Sequence, residues 1–359
     1  MTMQRFLLGL SLSLLTQSCA QTPAQAPQSS VLERYVALGD SITAGYQSGG
    51  LEAEGQRSAY PLLLGELAGK PLAGPIGKGP GCPPPLNGEA TAESCVRADP
   101  QAENRNFAVP GARVEELTVK SAANVQGEGT RALYNLILGP NDTQVSAALK
   151  AKPSLISVWI GSNNVLAAAL NGNPAQATPV ATFENEYARL LDALKPSGAK
   201  IVLLTVPDVS QIPALISGKF LAQYGLADNT CAASEARISA QYVLPQVTAW
   251  LSGGSFTPLS CTEAYALTPQ EAAQFKTIVD GYNASIRSLA QARGHLVFDV
   301  APLLNELDKP NPNLQDFSRL FGEDFSLDGV HPSSSAHTKL AAALARFLNT
   351  HLEAGIAVR

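Results

Sequence analysis

Five short apolar runs recur along the chain, and each stops at a glycine, a proline or a polar turn. They are Arg34–Leu38 before Gly39, Asn106–Val109 before Pro110-Gly111, Leu155–Ile160 before Gly161, Ile201–Val206 before Pro207-Asp208, and His295–Val300. The core of each run is continuously apolar rather than alternating. That pattern predicts parallel strands covered on both faces.

Between the runs the apolar period lengthens to that of a helix. Thr182 is placed to cap a helix with the stripe Phe183, Tyr187, Leu190, Leu191 and Leu194, ended by Pro196 and Gly198. Thr268-Pro269-Gln270-Glu271 reads as a capping box with proline at the first helical position. It opens a stripe of Phe275, Ile278, Val279, Tyr282, Ile286 and Leu289 that ends at Gly294. A last helix carries Leu340, Leu344, Phe347, Leu348 and Leu352. Strands alternating with helices over the whole length predict one three-layer α/β domain with a central parallel five-stranded sheet.

The first residues follow a different logic. Arg5 precedes an apolar run, Phe6–Leu15, too short for a membrane span of roughly 20 residues. Residues 1–18 therefore read as an export signal. The stretch Leu15-Thr16-Gln17-Ser18-Cys19 resembles a bacterial lipobox, with Cys19 lipidated; simple cleavage at the small-x-small site Ser18-Cys19-Ala20 is the alternative. Residues 19–31, rich in Ala, Gln, Pro and Ser, read as a flexible tether, leaving 32–359 as the folded domain.

Composition narrows the class. Only 15% of the 359 residues are charged, and 25 Lys+Arg face 30 Asp+Glu for a net charge of −5. Loss of Arg5 with the signal makes the mature chain 24 − 30 = −6. With no Lys/Arg run, a nucleic-acid partner is not expected. Beyond Cys19 stand Cys82, Cys95, Cys231 and Cys261, and an even four in an exported chain favours two disulfides. Three connectivities are possible; proximity favours Cys82–Cys95 and Cys231–Cys261. Neither C-x-x-C nor a nearby His pair points to a structural zinc site.

Open parallel sheets place their active sites at the carboxyl ends of the strands. Those ends read Gly39-Asp40-Ser41, then Asn106-Phe107-Ala108-Val109-Pro110-Gly111-Ala112, then Gly161-Ser162-Asn163-Asn164; near the C-terminus stands Asp328-Gly329-Val330-His331. Taken singly, each is an ordinary turn, cap or core residue. Together they supply a nucleophile, a base, a carboxylate to orient it, and amide donors. Rival motifs fail: Gly77-Lys78-Gly79-Pro80-Gly81 lacks the G-K-[ST] of a phosphate loop, and H-E-x-x-H and G-x-S-x-G do not occur.

The four blocks, in this order and over residues 32–352, resemble the SGNH (GDSL) hydrolase family. The resemblance implies a flavodoxin-like sheet of order 2-1-3-4-5 and hydrolysis of carboxylic esters without a cofactor or metal. Ser41 would be the nucleophile, His331 its base, and Asp328 the group that fixes the imidazole tautomer. The Ser41 and Gly111 N–H groups and the Asn163 amide would form the oxyanion hole. His295, His337 and His351 lack such company and read as structural. One departure stands out: Asn164 occupies a position where the family often has Asp.

The expectation is an exported ester hydrolase with a small-molecule or lipid ester as its partner, touching a membrane only through Cys19. A carbohydrate O-deacetylase is the alternative within the fold; a non-catalytic surface binding module is the alternative outside enzymes. About sixty residues between Val206 and Thr268 exceed a minimal domain. This insertion, about 210–267, carries Ile212, Leu215, Ile216, Phe220, Leu221, Tyr224, Leu226, Trp250 and Leu251. Such a segment suits a cap with an acyl pocket, and so neutral aliphatic esters.

Overall fold

The computed structural model describes residues 30–86 and 88–358. The export signal, Cys19 and most of the tether lie outside the described residues. The tether is shorter than its composition suggests: Ser30–Leu32 form a 3₁₀ turn, Leu32 is buried, and the Val31 carbonyl accepts from Ser154 Oγ at 2.8 Å.

The central sheet is built from β1 (Tyr35–Gly39), β2 (Leu155–Trp159), β3 (Lys200–Leu204) and a later strand, Leu296–Phe298, in that spatial order, all parallel. Tyr35 pairs with Leu155, Leu155 with Lys200, and Val202 with Leu296. The 106–109 run is not a full strand. It lies beside β1 through one parallel bridge, Ala37 to Asn106. The Phe107 and Val109 N–H groups donate to the Ala37 and Gly39 carbonyls. Pro110 has no N–H to extend the ladder, and Gly111 turns away at φ 81°. The expected order is thus present, but as four strands and a bridged edge rather than five strands.

Helices cover both faces. The elements that matter below are α1 (Ser41–Ala44), α2 (Tyr60–Leu67), α3 (Gln144–Lys150), α4 (Leu166–Leu170), α5 (Val180–Leu194), α6 (Ala240–Leu251), α7 (Pro269–Arg293) and α8 (Ser334–Leu352). The strands explain why the runs are continuously apolar. Val36, Leu38, Ile156, Val158, Ile201 and Leu203 face one core, with α5 and α7. Tyr35, Ala37, Leu155, Trp159, Val202 and Leu204 face the other, with α2 and α8. Each fully buried aliphatic side chain contributes roughly 1.5–3 kcal/mol, and the one buried polar side chain in the middle of these strands, Ser157, is paired with the Tyr35 hydroxyl at 2.7 Å.

Two helix starts contrast. The Thr268 box forms as its sequence predicts: Thr268 Oγ1 accepts from the Glu271 N–H, and the Glu271 carboxylate accepts from the Thr268 N–H. Thr182, in contrast, is not a cap. Helix α5 starts three residues earlier than a Thr182 cap would place it, after Pro179, with Val180 packed against Gly281 of α7.

The insertion folds as its own small layer. Strands β4 (Leu215–Ser217), β5 (Arg237–Ser239) and β6 (Ala266–Leu267) form an antiparallel sheet flanked by α6. The Leu296–Phe298 strand is accordingly β7. The layer's core, with Leu221, Ile238 and the Cys231–Cys261 disulfide, continues into Leu307, Phe321 and Phe325 near the start of α8. The second disulfide, Cys82–Cys95, closes the long loop between α2 and the bridged edge. Of the insertion's apolar residues, Tyr224, Trp250 and Leu251 face solvent rather than the core.

Candidate active site

Ser41 owes its position to the abrupt end of β1. Gly39 has no room for a side chain, since a Cβ there would lie 2.4 Å from the Trp159 carbonyl oxygen. The buried Gln144 side chain of α3 holds both its N–H and its C=O. Asp40 then leaves the strand in an extended conformation and caps α1, its Oδ1 accepting from the Ile42 N–H at 3.1 Å. Ser41 is therefore the first helical residue, whose N–H has no partner within the helix. Asn106 ties this turn to the bridged edge by donating to the Thr43 carbonyl at 2.8 Å.

The Asp328–His331 loop approaches from the other side. Asp328 Oδ1 accepts from the backbone N–H groups of Val330 and His331 at 2.9 Å and from Ser326 Oγ at 3.0 Å. Its Oδ2 accepts from Gly49 N at 2.9 Å and meets His331 Nδ1 at 2.8 Å. With Nδ1–H donating to Asp328, Nε2 is left as the acceptor, 2.8 Å from Ser41 Oγ. The chain of three side chains is thus assembled from elements 290 residues apart. Gly329 permits the approach: at φ 65° its missing Cβ would clash with Ala214 N at 2.8 Å and with the Phe321 ring.

Electrostatics follow from these contacts. Burial by itself would raise the Asp328 pKa, but the adjoining imidazole and its hydrogen bonds hold it well below the usual carboxylate range. Burial likewise opposes charge on His331; the Asp328 charge, its hydrogen bond and the more distant Asp40 outweigh that and raise the imidazole pKa. Asp40 differs. Its carboxyl is fully buried, Oδ2 has no hydrogen-bond partner among the described residues, and desolvation pushes its pKa up to about 7.

The expected oxyanion donors besides Ser41 lie on the turn after the bridged edge and the loop after β2. Gly111 sits exposed in the left-handed region with nothing near its would-be Cβ, so backbone conformation rather than space calls for glycine. Asn163 Nδ2 donates to the Ala112 carbonyl at 2.9 Å, which places this amide against the Gly111 turn. Asn164, in place of Asp, is buried and holds the same loop from below: Oδ1 accepts from Val114 N, and Nδ2 donates to Glu115 and to Thr178 Oγ1.

Several neighbours were not legible in the sequence. The Tyr46 ring packs on the His331 imidazole at 4.9 Å between centroids, and Gly49 and Ser326 hold Asp328. Only the nearness of Tyr46 and Gly49 to Ser41 in the chain could have suggested them. His337 is fully buried, its Nδ1 accepting from the Tyr60 N–H, and burial lowers its pKa to about 3; its position is structural. His295 and His351 are remote from Ser41, at the start of β7 and the end of α8. Among the described residues no three His, Cys, Asp or Glu side chains gather as metal ligands.

A family model described as GDSL-like lipase/acylhydrolase matches residues 35–344. No curated protein matches the chain. Solved structures similar to it include an extracellular lipase from Streptomyces rimosus, 16% identical with a TM-score of 0.42, covering 88% of this chain and 98% of the lipase. LAE5, an alpha/beta hydrolase enzyme from the metagenome of Lake Arreo, is 17% identical with a TM-score of 0.41, over 90% and 95% of the two chains. A variant of Axe2, an acetyl xylan esterase from Geobacillus stearothermophilus, has the same identity, TM-score and coverage.

Proposed function

This chain belongs to the GDSL-like lipase/acylhydrolase family and is a serine carboxylic-ester hydrolase; we propose that it is exported and cleaves neutral aliphatic esters through Ser41, His331 and Asp328. The observation that carries the reading is the relay Ser41 Oγ to His331 Nε2 and His331 Nδ1 to Asp328 Oδ2, both at 2.8 Å.

In the first step Ser41 Oγ attacks the ester carbonyl while His331 Nε2 takes the hydroxyl proton. Negative charge gathers on the former carbonyl oxygen. The Ser41 and Gly111 N–H groups and the Asn163 amide stabilise it. As the tetrahedral species collapses, His331 returns the proton to the leaving alcohol and an acyl-Ser41 remains. Water, deprotonated by the same imidazole, then releases the acid. Asp328 stays ionised throughout and stabilises the imidazolium.

Labelling with a fluorophosphonate tests the reading. Ser41 is expected to carry the label, and Ser41→Ala to abolish both labelling and turnover of p-nitrophenyl esters; near-normal turnover by that variant overturns the mechanism. Export with lipidation at Cys19 is part of the same proposal, since several acyl chains anchor stably. Cys19→Ser should then move the protein from the membrane fraction to the medium.

A further inference from the structure

A cavity of ≈ 280 Å³ opens between the insertion and the segment that leads to the catalytic loop. Ile216, Phe220 and Val243 line it from the insertion; Pro312, Phe317 and Phe321 line it from the opposite wall. Among the described residues, Ser239, Gln241 and Asp328 are its only polar side chains, and the Asp328 carboxylate is already held by its five donors. Among the described residues no Lys or Arg lines it, which argues against recognition of a phosphate or another anion.

We propose that this cavity binds the acyl chain of the ester and selects medium-length acyl groups, a proposal that rests on the Ser41 reading above. Its position argues for this. Asp328 and Val330, on either side of Gly329, close one end, so the cavity abuts the loop that carries His331. Leu170, on the helix that follows Asn163 and Asn164, closes the flank on the oxyanion side. The backbone bond from Ala214 N to the Gly329 carbonyl, 2.9 Å, joins the insertion to the catalytic loop and fixes the two walls relative to each other. A neighbouring cavity of ≈ 80 Å³, which borders Ile42 and shares Val330, is too small for a chain.

The volume sets the length. An apolar cavity of about 150 Å³ accepts benzene, with six carbons. By that scale this one takes a chain of roughly ten. Each methylene buried from water should raise kcat/KM about fourfold until the cavity is full.

The test is kcat/KM across p-nitrophenyl esters from acetate to palmitate. A maximum near octanoate or decanoate is expected. Leu244→Trp and Val247→Trp, which fill the cavity from the partly exposed side of α6, should each lower the octanoate-to-acetate ratio at least tenfold. A flat profile in the wild type, or a ratio within twofold of wild type in both variants, overturns the pocket while leaving Ser41 as nucleophile. Absence of turnover on every ester overturns the Ser41 reading and this proposal with it. Calorimetry with 2-decanone, an uncharged chain carrying one carbonyl, gives an arm independent of turnover. The Ser41→Ala protein should bind it and the Ser41→Ala/Leu244→Trp protein should not; equal binding, or none by either, also overturns the pocket.

Discussion

Asn164 donates through Nδ2 to the Glu115 carboxylate at 3.0 Å, while its Oδ1 accepts from the Val114 N–H. One buried amide therefore ties the loop after β2 to the loop after the bridged edge. A carboxylate at position 164 could accept from Val114 but would face Glu115 with like charge. Asn at 164 and Glu at 115 form a matched pair.

That pairing makes a reversible prediction. Asn164→Asp should destabilise the protein by about 1–3 kcal/mol, through the lost donor and the repulsion. It should also lower kcat, because the Gly111 turn loses its support. Adding Glu115→Gln should restore most of both. Denaturant midpoints and kcat for the two single variants and the double would show it; strict additivity would mean that the two side chains do not communicate.

Asn163→Ala should reduce kcat roughly 10²–10³-fold with little change in KM, the signature of a donor engaged in the transition state. The contact to Ala112 complicates the outcome usefully. If the amide only braces the loop through that bond, Asn163→Ala should lower the melting temperature and should not single out kcat over KM.

Activity should fall as pH drops through the His331 titration, since only the neutral imidazole accepts the Ser41 proton. The raised pKa places the midpoint of that limb above the ordinary imidazole value of 6.5. Asp328→Asn removes the main charge that raises it. In that variant kcat should fall by roughly 10⁴-fold and the limb should move to lower pH. Rate profiles of kcat/KM between pH 5 and 9 would decide it; an unmoved limb would assign the titration to another group.

Asp40 also predicts a pH effect on stability. Its carboxyl pKa is raised in the folded state to about 7, from 3.8. The folded chain thus holds a proton that the unfolded chain has already released. The stability linked to that proton is complete below about pH 4 and is lost as pH rises through 7. Asp40→Asn keeps the cap to Ile42 without a titrating group. Its Tm should exceed that of the wild type by a few degrees at pH 9, and the gap should shrink at pH 5. Parallel melting curves for the two proteins would refute this.

Removing the Cys231–Cys261 bridge as the double serine variant should cost about 2–4 kcal/mol, because it closes a loop of 30 residues. Both sulfurs are buried in the insertion's core, so the loss should be felt first in that layer. Hydrogen exchange that rises across β4–β6 before the central sheet would bear this out; uniform loss of protection would not.

The parallel sheet, its two covered faces and the main helices were legible in the chain, because burial on both sides makes nearly every central strand position apolar, with the buried Ser157 paired to the Tyr35 hydroxyl as the exception. The candidate residues were legible for a related reason: they follow strand ends, where a short turn must carry Ser41, Gly111 or Asn163 at once. Other features depended on partners far along the chain. Whether 106–109 becomes a full strand turns on how far its ladder to β1 extends before Pro110. Thr182 has the chemistry of a cap, yet packing of Val180 against α7 carries the helix past it. The protonation of Asp40, the pairing of Asn164 with Glu115 and the Tyr46 ring on His331 all arise where distant segments meet. A buried group's charge and partners depend on what surrounds it in space, and only the folded chain settles those surroundings.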